Sequence, residues 1–304
     1  MSKNNLLFGI DLGGTKIEGV ALSATDPSDV VCRMRIDTEA HEGYEHILDR
    51  IKLLVSKMEN ETGHKVTALG IGTPGSIDPH SGLLKNSNTT VLNHKPFKYD
   101  LEKKLGFDTL IANDANCFAL AEARLGAVPQ KVPGAKIVFG VIMGTGVGGG
   151  IVINGLVLNG NMGIAGEWGH NHLDDSGGPC YCGKVGCVEK VLSGPSLERY
   201  YESESGEKRK LKEIVNRTNN DEAARKTIHR LQHFFGKGIS VVINILDPDV
   251  IVLGGGVTNI DSLYSEGVKS AEEFVFNTRF DTPIIRPKLG DSAGVFGAAL
   301  LIAD

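Results

Sequence analysis

The amino-acid sequence predicts an α/β fold on the basis of three observations. Apolar runs of strand length alternate with segments that have helical apolar periodicity, an order typical of α/β proteins. The 39 glycines among 304 residues exceed the average usage of roughly 7%, and most of them fall in a few loops. A segment of strand, glycine turn and strand occurs twice. At roughly 150 residues per domain, the length suggests about two domains.

The first part of the chain contains four predicted strands and one predicted helix. Leu6–Ile10 and Ile17–Leu22 are apolar runs on either side of a glycine turn. Apolar residues at helical spacing from Tyr44 to Met58 predict a helix. Val66–Ile71 and Thr109–Ala112 are predicted to be buried strands.

The second part repeats this alternation. A long helix is predicted to end before Pro248, since proline does not continue a helix. The predicted elements are, in chain order, strands at Lys136–Met143 and Ile151–Ile153, a helix at Asp221–Leu246, a strand at Val250–Leu253 and a small-residue helix at Ala293–Ala303.

The repeated segment begins once at Phe8 and once at Phe139. Without gaps, FGIDLGGTKIEGVAL and FGVIMGTGVGGGIVI match at Phe8/Phe139, Gly9/Gly140, Gly13/Gly144 and Gly19/Gly150. Two hairpins that share a turn type could produce this agreement, because glycines recur wherever φ must be positive. A duplicated fold with one phosphate-binding loop in each half is favoured, since the agreement extends into the flanking strands.

Charge and hydropathy exclude several classes of function. The net charge of -5 argues against a nucleic-acid partner and offers no polybasic membrane patch. No stretch approaches the ~18 apolar residues of a membrane span, and the polar start, Met1 to Asn5, lacks the basic region of a signal peptide. The sequence therefore predicts a cytoplasmic protein.

The first glycine turn is a candidate phosphate site. Backbone N–H groups of Gly13 and Gly14, with the Thr15 hydroxyl, can form an anion-binding concavity. Lys16 can add positive charge, and Asp11 can hold Mg²⁺ directly or through water. The alternative is a tight hairpin turn capped by the Asp and Thr side chains.

The second glycine turn comprises Gly144, Thr145 and Gly146, followed by further glycines up to Gly150. It lacks the lysine of a P-loop, and a strand follows it where a dinucleotide-binding unit needs a helix. A third glycine segment, Gly254, Gly255 and Gly256, follows a predicted strand and could pass close to an adenine ring or a ribose.

Asn113 and Asp114 lie at the end of a predicted strand, and a helix is predicted to begin near Asn116. Ligands of α/β sheets bind at such strand ends. A carboxylate at Asp114 could accept a proton from an attacking hydroxyl. The alternative is that Asp114 only caps the helix.

Three of the five cysteines cluster with a histidine in the spacing H-x9-C-x-C-x4-C. One imidazole and three thiolates are a usual set for a closed structural zinc site. The candidate ligands are His170, Cys180, Cys182 and Cys187, and the alternative is a group of free buried thiols. The second nitrogen of His170 would then be free to donate to a sugar hydroxyl. Glu167 and Glu189 could accept hydrogen bonds from sugar hydroxyls, or be ordinary surface charges.

Taken together, these motifs resemble the ROK family (repressors, open reading frames and kinases) along essentially the whole chain. The motifs are D-L-G-G-T-K at Asp11–Lys16, P-G-S-I at Pro74–Ile77, N-D-A-N at Asn113–Asn116, G-T-G-V-G-G-G at Gly144–Gly150, G-E-W-G-H at Gly166–His170, C-x-C-G-x-x-G-C-x-E at Cys180–Glu189, L-D-P-D at Leu246–Asp249 and G-G-G at Gly254–Gly256.

The resemblance implies an actin/hexokinase-like ATPase fold of duplicated ribonuclease H-like domains with a cleft between them. We expect a small domain at 1–118 plus 289–304 and a large domain with the zinc site at 119–288. ATP is expected between the first two glycine turns, with Gly254–Gly256 near the nucleoside. Family members are commonly dimers or tetramers.

The resemblance also implies roles for individual residues. Asp114 corresponds to the catalytic base, and the four His/Cys positions correspond to the zinc ligands. The residues expected to hold the sugar are Asn113, Glu167, His170 and Glu189, with Gly75, Ser76 and Asn88 lining the pocket.

These expectations predict an ATP-dependent kinase that phosphorylates a free hexose at its 6-hydroxyl. The segment from Leu84 to Asn93 and the segment Pro179–Gly183 are most similar to bacterial fructokinases that also accept mannose. N-acetylglucosamine kinases and glucokinases of the family are the alternatives, and polyphosphate is an alternative donor. A sugar-sensing repressor is disfavoured because only ten residues precede Asp11, and an actin-like filament protein is disfavoured by the sugar-contacting set.

Overall fold

The computed structural model describes residues 6–303, which fall into two compact units. The first unit takes the described residues up to Pro129, then Gly150–Ala165, and those from Lys288 onward. The second unit comprises Gln130–Gly149 and Gly166–Pro287. The predicted domains, 1–118 plus 289–304 and 119–288, stay a prediction, and their residues 1–5 and 304 lie outside the described residues.

A mixed five-stranded sheet forms the centre of the first unit. Its strand order is β3-β2-β1-β4-β7; β1–β2 and β2–β3 are antiparallel, whereas β1–β4 and β4–β7 are parallel. The strands are β1 (Leu6–Leu12), β2 (Lys16–Ser23), β3 (Val30–Asp37), β4 (Ala68–Thr73), the hairpin pair β5 (Ser76–Ile77) and β6 (Leu84–Lys85), and β7 (Asp108–Asn113). The helices are α1 (Tyr44–Thr62), α2 (Phe97–Leu105) and α3 (Asp114–Arg124).

The second sheet has the strand order β10-β9-β8-β11-β12. Here β9–β10 is antiparallel, and β8–β11 and β11–β12 are parallel. Its strands are β8 (Ile137–Met143), β9 (Val147–Ile153), β10 (Leu156–Val157), β11 (Val250–Gly254) and β12 (Ile284–Ile285). With β8 in the place of β1, the order is that of the first sheet, as a duplicated fold requires.

Within the described part of the chain, seven further helices follow α3. The long helix α8 begins at the cap Asp221, whose side chain accepts from the backbone N–H of Ala224 at 3.1 Å. The helices are α4 (Val128–Lys131), α5 (Val188–Leu192), α6 (Gly194–Ser205), α7 (Leu211–Asn216), α8 (Glu222–Leu246), α9 (Glu266–Phe274) and α10 (Ala293–Leu300).

The backbone of helix α10 lies directly against β1, β4 and α3 in the core of the first unit, because glycines at the contacts leave no side chains between them. A Cβ atom added at Gly9 of β1 would collide with the backbone of Ala299, and one added at Gly70 of β4 with that of Ala298. A Cβ at Gly297 would collide with the Cys117 carbonyl of α3. Glycine at these positions lets the C-terminal helix lie directly on the sheet and on α3.

A buried carboxylate fixes the approach to this helix. Glu122 of α3 is fully buried and accepts N–H bonds from Ala127 at 2.8 Å, Lys288 at 3.0 Å and Leu289 at 2.8 Å. Backbone N–H groups thus satisfy a carboxylate that would be costly to bury alone. Glu122 joins the end of α3 to the segment that leads into α10.

Among residues 6–303, no helix combines the length and the apolar character needed to cross a bilayer.

Candidate functional site

The first glycine turn joins β1 to β2. The N–H of Gly13 donates to the Lys16 carbonyl at 3.0 Å, and the Thr38 hydroxyl donates to the Gly13 carbonyl at 2.6 Å. Gly14, Thr15 and Lys16 are exposed. The expectation that the Gly13 N–H helps to bind an anion was therefore wrong, because the turn itself uses that donor. The exposed part of the turn begins at Gly14.

Asp11 lies beside this turn near the end of β1. Its carboxylate is within 3.5 Å of the Cβ position on Gly72 and 2.8 Å of that on Gly294, so glycine at both positions makes room for it. Burial, and then the negative charges of Asp114 and Glu18, raise the pKa of Asp11 to about 7, while Arg35 acts in the opposite direction. The strand ends thus bring Asp11 and Asp114 close enough to influence each other.

Asp114 is the first residue of α3. The helix cap is Asn113, whose side-chain oxygen accepts from the Ala115 N–H at 2.8 Å, and Asp114 Oδ1 accepts from the same N–H at 2.8 Å. Solvent reaches the Asp114 side chain, yet protein atoms surround it densely enough that burial raises its pKa. A raised pKa makes a carboxylate a more effective base, because the pKa then lies closer to neutral pH.

A second charged layer lies across the sheet from Asp11. In the strand register Asp11 pairs with Glu18, and Glu18 pairs with Arg35. The largely buried Glu18 carboxylate accepts from Arg33 Nε and, at 2.5 Å, from Arg35. Two guanidinium groups thus donate to the Glu18 carboxylate beside Asp11. Sequence reasoning missed this group; its signal is a glutamate inside an otherwise buried strand.

Three of the residues expected to line the sugar pocket come together in the first unit. Asn113 Nδ2 donates to the Gly75 carbonyl at 3.3 Å. Gly75 has φ of 81° and lies so close to Lys85 of β6 that no side chain would fit. The adjacent Ser76 is buried, and its hydroxyl has no hydrogen-bond partner among the described residues. Asn88 is exposed.

Thr89 is a further candidate that sequence reasoning missed. Its side chain is buried, and its hydroxyl lacks a partner within the described part of the chain. That oxygen is 3.4 Å from the Cβ position on Gly14, at the exposed part of the first turn. A buried hydroxyl without a partner is costly, and such groups are commonly completed by a ligand or a water molecule.

The second glycine turn joins β8 to β9. The Gly144 N–H donates to the Gly146 carbonyl at 2.9 Å, and Thr145 is exposed. The Cβ position on Gly144 is 4.0 Å from the Gly256 nitrogen, so this turn meets the third glycine segment. Within that segment Gly254 ends β11, and Gly255 has φ of 88° and is crowded by Met143. Nothing lies within 4 Å of a Cβ on Gly256, which leaves that backbone open to a ligand.

Glu167 and Glu189 lie beside the second turn. Glu189 lies in the first turn of α5, and its carboxylate accepts from the Val147 N–H at 3.1 Å. Glu167 precedes a short helical turn in which Trp168 donates from Nε1 to the Gly148 carbonyl at 3.0 Å. The indole therefore ties this turn, and His170 at its end, to the start of β9.

The predicted metal ligands form one cluster. One ligand atom each from His170, Cys180, Cys182 and Cys187 lie within 4.8 Å of one another. Cys180 Sγ is 3.7 Å from His170 Nδ1, and Cys182 Sγ is 3.5 Å from Cys187 Sγ. In a tetrahedral zinc site with Zn–S of about 2.3 Å and Zn–N of about 2.0–2.1 Å, ligand atoms are about 3.5–3.8 Å apart. The donor set and its spacing thus fit zinc.

The other nitrogen of His170 has a protein partner. Nε2 is 2.9 Å from the Tyr181 hydroxyl, and the two rings meet edge to face with centroids 5.1 Å apart. The expectation of a free N–H at this position was therefore wrong for the described structure. Tyr181 was missed because its contact depends on how the loop between Cys180 and Cys182 folds.

Comparisons with a family model and with a known protein both match nearly the whole chain. The model of the ROK family matches residues 7–304. The chain is 37% identical to an N-acetyl-D-glucosamine kinase of Vibrio atlanticus, with 97% of this chain and 99% of the relative aligned.

Two solved structures extend the likeness to the fold. A ROK hexokinase from Thermus thermophilus superposes with a TM-score of 0.86 at 30% identity, covering 97% of each chain. A ROK glucokinase from Streptomyces griseus, solved with glucose and AMPPNP, gives a TM-score of 0.75 at 28% identity over 97% of this chain and 98% of that one. The predicted α/β fold of the actin/hexokinase-like class is confirmed.

Proposed function

Because the chain belongs to the ROK family, we propose that it is an ATP-dependent sugar kinase that phosphorylates a free hexose. The observation that carries the proposal is the position of Asp114. It begins α3 at the end of β7, is reached by solvent, and influences the pKa of Asp11 beside the first glycine turn. Strand ends of this kind bind the ligands of α/β proteins.

The proposed sugar is N-acetyl-D-glucosamine, phosphorylated at its 6-hydroxyl. The 37% identical relative from Vibrio atlanticus is named as a kinase for that sugar, and the alignment spans nearly both chains. This similarity favours an N-acetylglucosamine kinase, one of the alternatives from the sequence, over a fructokinase or mannokinase. A fructokinase or mannokinase remains the second choice. Glucose is a third choice because the Streptomyces griseus relative is a glucokinase.

In the proposed mechanism, Asp114 takes the proton of the attacking hydroxyl. A bond forms between that oxygen and the γ-phosphorus, and the bond from this phosphorus to the bridging oxygen of the departing ADP breaks. Phosphoryl transfer depends mainly on positioning and charge stabilisation. Asn113, Gly75 and Ser76 are proposed to orient the sugar, since they lie together beside Asp114.

In the first unit, phosphate is proposed to lie at the exposed Gly14. In the second unit, the exposed Thr145 is proposed to contact phosphate, with Gly256 near the nucleoside. Lys16 supplies an exposed positive charge. Asp11 is proposed to hold Mg²⁺ directly or through water. When bound, Mg²⁺ neutralises phosphate charge that develops during transfer.

The His170, Cys180, Cys182 and Cys187 cluster is proposed to hold a structural zinc ion. Four protein ligands fill a tetrahedral shell and leave no open position for water. The proposed role is therefore to fix the loop that presents His170 and leads into Glu189. None of the five cysteines forms a disulfide, which is in keeping with the predicted cytoplasmic location.

The predicted dimer or tetramer also stays a proposal. An apolar surface in the second unit supports it: Ile245 is 81% and Phe276 94% exposed, and the Phe276 N–H donates to the Asn244 side chain at 2.9 Å. Light scattering on the purified protein gives the assembly size, and Phe276→Ser should shift it toward the monomer if this surface is the interface.

A coupled ADP-release assay with Mg-ATP tests the function directly. The acceptors are N-acetyl-D-glucosamine, N-acetyl-D-mannosamine, fructose, mannose, glucose and a blank without sugar, and inorganic polyphosphate replaces ATP in a second series. The proposal expects N-acetyl-D-glucosamine to give the highest kcat/KM. A preference for fructose or mannose would keep the chemistry and change the sugar. Folded protein without sugar-dependent turnover would reject the kinase proposal.

A further inference from the structure

Tyr181 lies between two candidate metal ligands, Cys180 and Cys182. Its hydroxyl is 2.9 Å from His170 Nε2, and the ring planes meet at 87°. The side chain is otherwise 79% exposed, so the bond to His170 is its main polar anchor. None of the roles proposed above uses this tyrosine.

The two nitrogens of His170 face different groups. Nδ1 points into the thiol cluster, 3.7 Å from Cys180 Sγ, whereas Nε2 points to the tyrosine. An imidazole that binds a metal through Nδ1 keeps its proton on Nε2. That N–H donates to the Tyr181 oxygen. A hydrogen-bond partner of this kind fixes the ring orientation and the tautomer of a metal-binding histidine.

We propose that Tyr181 is a positioning residue that holds His170 in its metal-binding orientation while the sugar site is empty, and that a sugar hydroxyl replaces it on Nε2 when substrate binds. The second half of this statement rests on the proposed function, because it requires a sugar beside His170. The first half does not.

The exchange follows from the single hydrogen on Nε2. One N–H makes one well-directed bond, so it serves either the phenol or the sugar. Because most of the Tyr181 ring is exposed, its departure removes little packing beyond the edge contact with His170. In either state the imidazole keeps a partner on Nε2, and the metal should remain bound.

When the tyrosine hydroxyl is removed, the affinity for zinc should therefore depend on whether sugar is bound. In Tyr181→Phe without sugar, Nε2 loses its protein partner. Loss of such a partner lowers metal affinity by about 10- to 100-fold. Saturating sugar should restore most of that affinity, and by reciprocity zinc should tighten sugar binding.

The experiment measures zinc affinity by competition with a chromogenic chelator, with and without saturating N-acetyl-D-glucosamine. The variant Tyr181→Phe is compared with the wild type and with Tyr99→Phe, which changes another exposed tyrosine on α2. We expect an affinity deficit only in Tyr181→Phe, and only without sugar. With zinc in excess, the KM of Tyr181→Phe for the sugar should fall by about two- to tenfold at unchanged kcat, because the competing bond is gone.

The outcomes separate the two proposals. Wild-type zinc affinity in Tyr181→Phe without sugar would overturn the positioning role. A deficit that sugar fails to repair, in a variant that still turns over the sugar, would overturn the exchange. If the wild-type protein turns over no hexose, the proposed function fails and the exchange fails with it, while the zinc measurement still decides the positioning role.

Discussion

The two units share a strand order but differ in the chemistry at their strand ends. In the first unit the strand before the glycine turn carries Asp11, and the aligned position in the second unit is Ile142. The first turn lies among titratable groups, since Glu18 and Asp114 both raise the pKa of Asp11. At the second turn, the carboxylate of Glu189 accepts a hydrogen bond from the backbone N–H of Val147.

This contrast shows that the two halves of a duplicated fold can keep the same backbone turn while their side chains at that turn differ. Both turns close with the same kind of bond, from the first glycine N–H to a carbonyl two or three residues later. The first unit has acidic groups at its turn, whereas the second unit contains the cluster of His170, Cys180, Cys182 and Cys187. Substitutions in the first should therefore affect turnover, and substitutions in the second should affect stability and binding.

The largest effect is expected for Asp114→Asn. Removal of the proposed base should lower kcat by about 10²- to 10⁴-fold with little change in KM or in melting temperature. The measurement is ADP release beside Asp108→Asn, which changes an exposed aspartate at the start of the preceding strand, β7. Comparable activity in the two variants would contradict the assignment of the base.

Cys187→Ser should abolish the metal site of the second unit. The wild type is expected to contain about one zinc ion per chain, and the variant close to none, by elemental analysis. Because structural zinc contributes folding free energy, the melting temperature should fall by roughly 10 °C. The matched control is Cys32→Ser, which changes a buried cysteine of the first unit and should keep the metal. Retention of zinc in both variants would remove Cys187 from the ligand set.

Asp11→Asn should stabilise the unliganded protein at alkaline pH. Burial and its acidic neighbours raise the pKa of Asp11 from 3.8 to about 7, so the folded state binds the proton more tightly than the unfolded chain. Wild-type stability should therefore fall as the pH rises from about 4 to about 7, by at most about 4 kcal/mol. Asparagine cannot ionise and escapes this loss. Urea unfolding at pH 5 and pH 8 should show a larger advantage of the variant at pH 8, and an equal advantage at both would refute the explanation.

The smallest changes in stability are expected for alanine substitutions at two adjacent glycines of the second unit. Gly255→Ala should cost about 1–3 kcal/mol of stability, since its φ is 88° and Met143 crowds the new methyl group. Gly256→Ala has open space around it, so it should change stability by no more than about 0.5 kcal/mol. If Gly256 lies beside the nucleoside, its variant should instead raise the KM for ATP. Thermal melting and ATP titration of both variants decide between a structural and a binding role.

The central strands and helices of both units could be predicted from the sequence. Apolar runs located β1, β4, β8 and β11, and helical periodicity located α1 and α8, because those elements are buried on a regular pattern. Strand β3 escaped prediction because it is partly exposed and alternates arginines with apolar residues. The two-residue strands β10 and β12 are too short to have a periodic signature.

The candidate site was predictable where a motif ties a residue to a strand end. Asp11 and Asp114 were found this way, and so was the His170 cluster, whose ligand types and spacing are distinctive. The Glu18–Arg35 pair was not predictable, because it depends on the register between β2 and β3. The bond between Tyr181 and His170 depends on a loop conformation that no local pattern specifies.

The placement of α10 has a consequence for how the protein is made. Gly294, at the start of this helix, packs on the carboxylate of Asp11 near the opposite end of the chain. At about 5–20 residues per second, synthesis reaches the helix some 15–60 s after Asp11 has been made. During that interval β1 and β4 lack their covering helix, and all strands of the second sheet, up to β12, are made before that helix. The first unit therefore gains α10, which covers its sheet, only after every strand of the second sheet has been made.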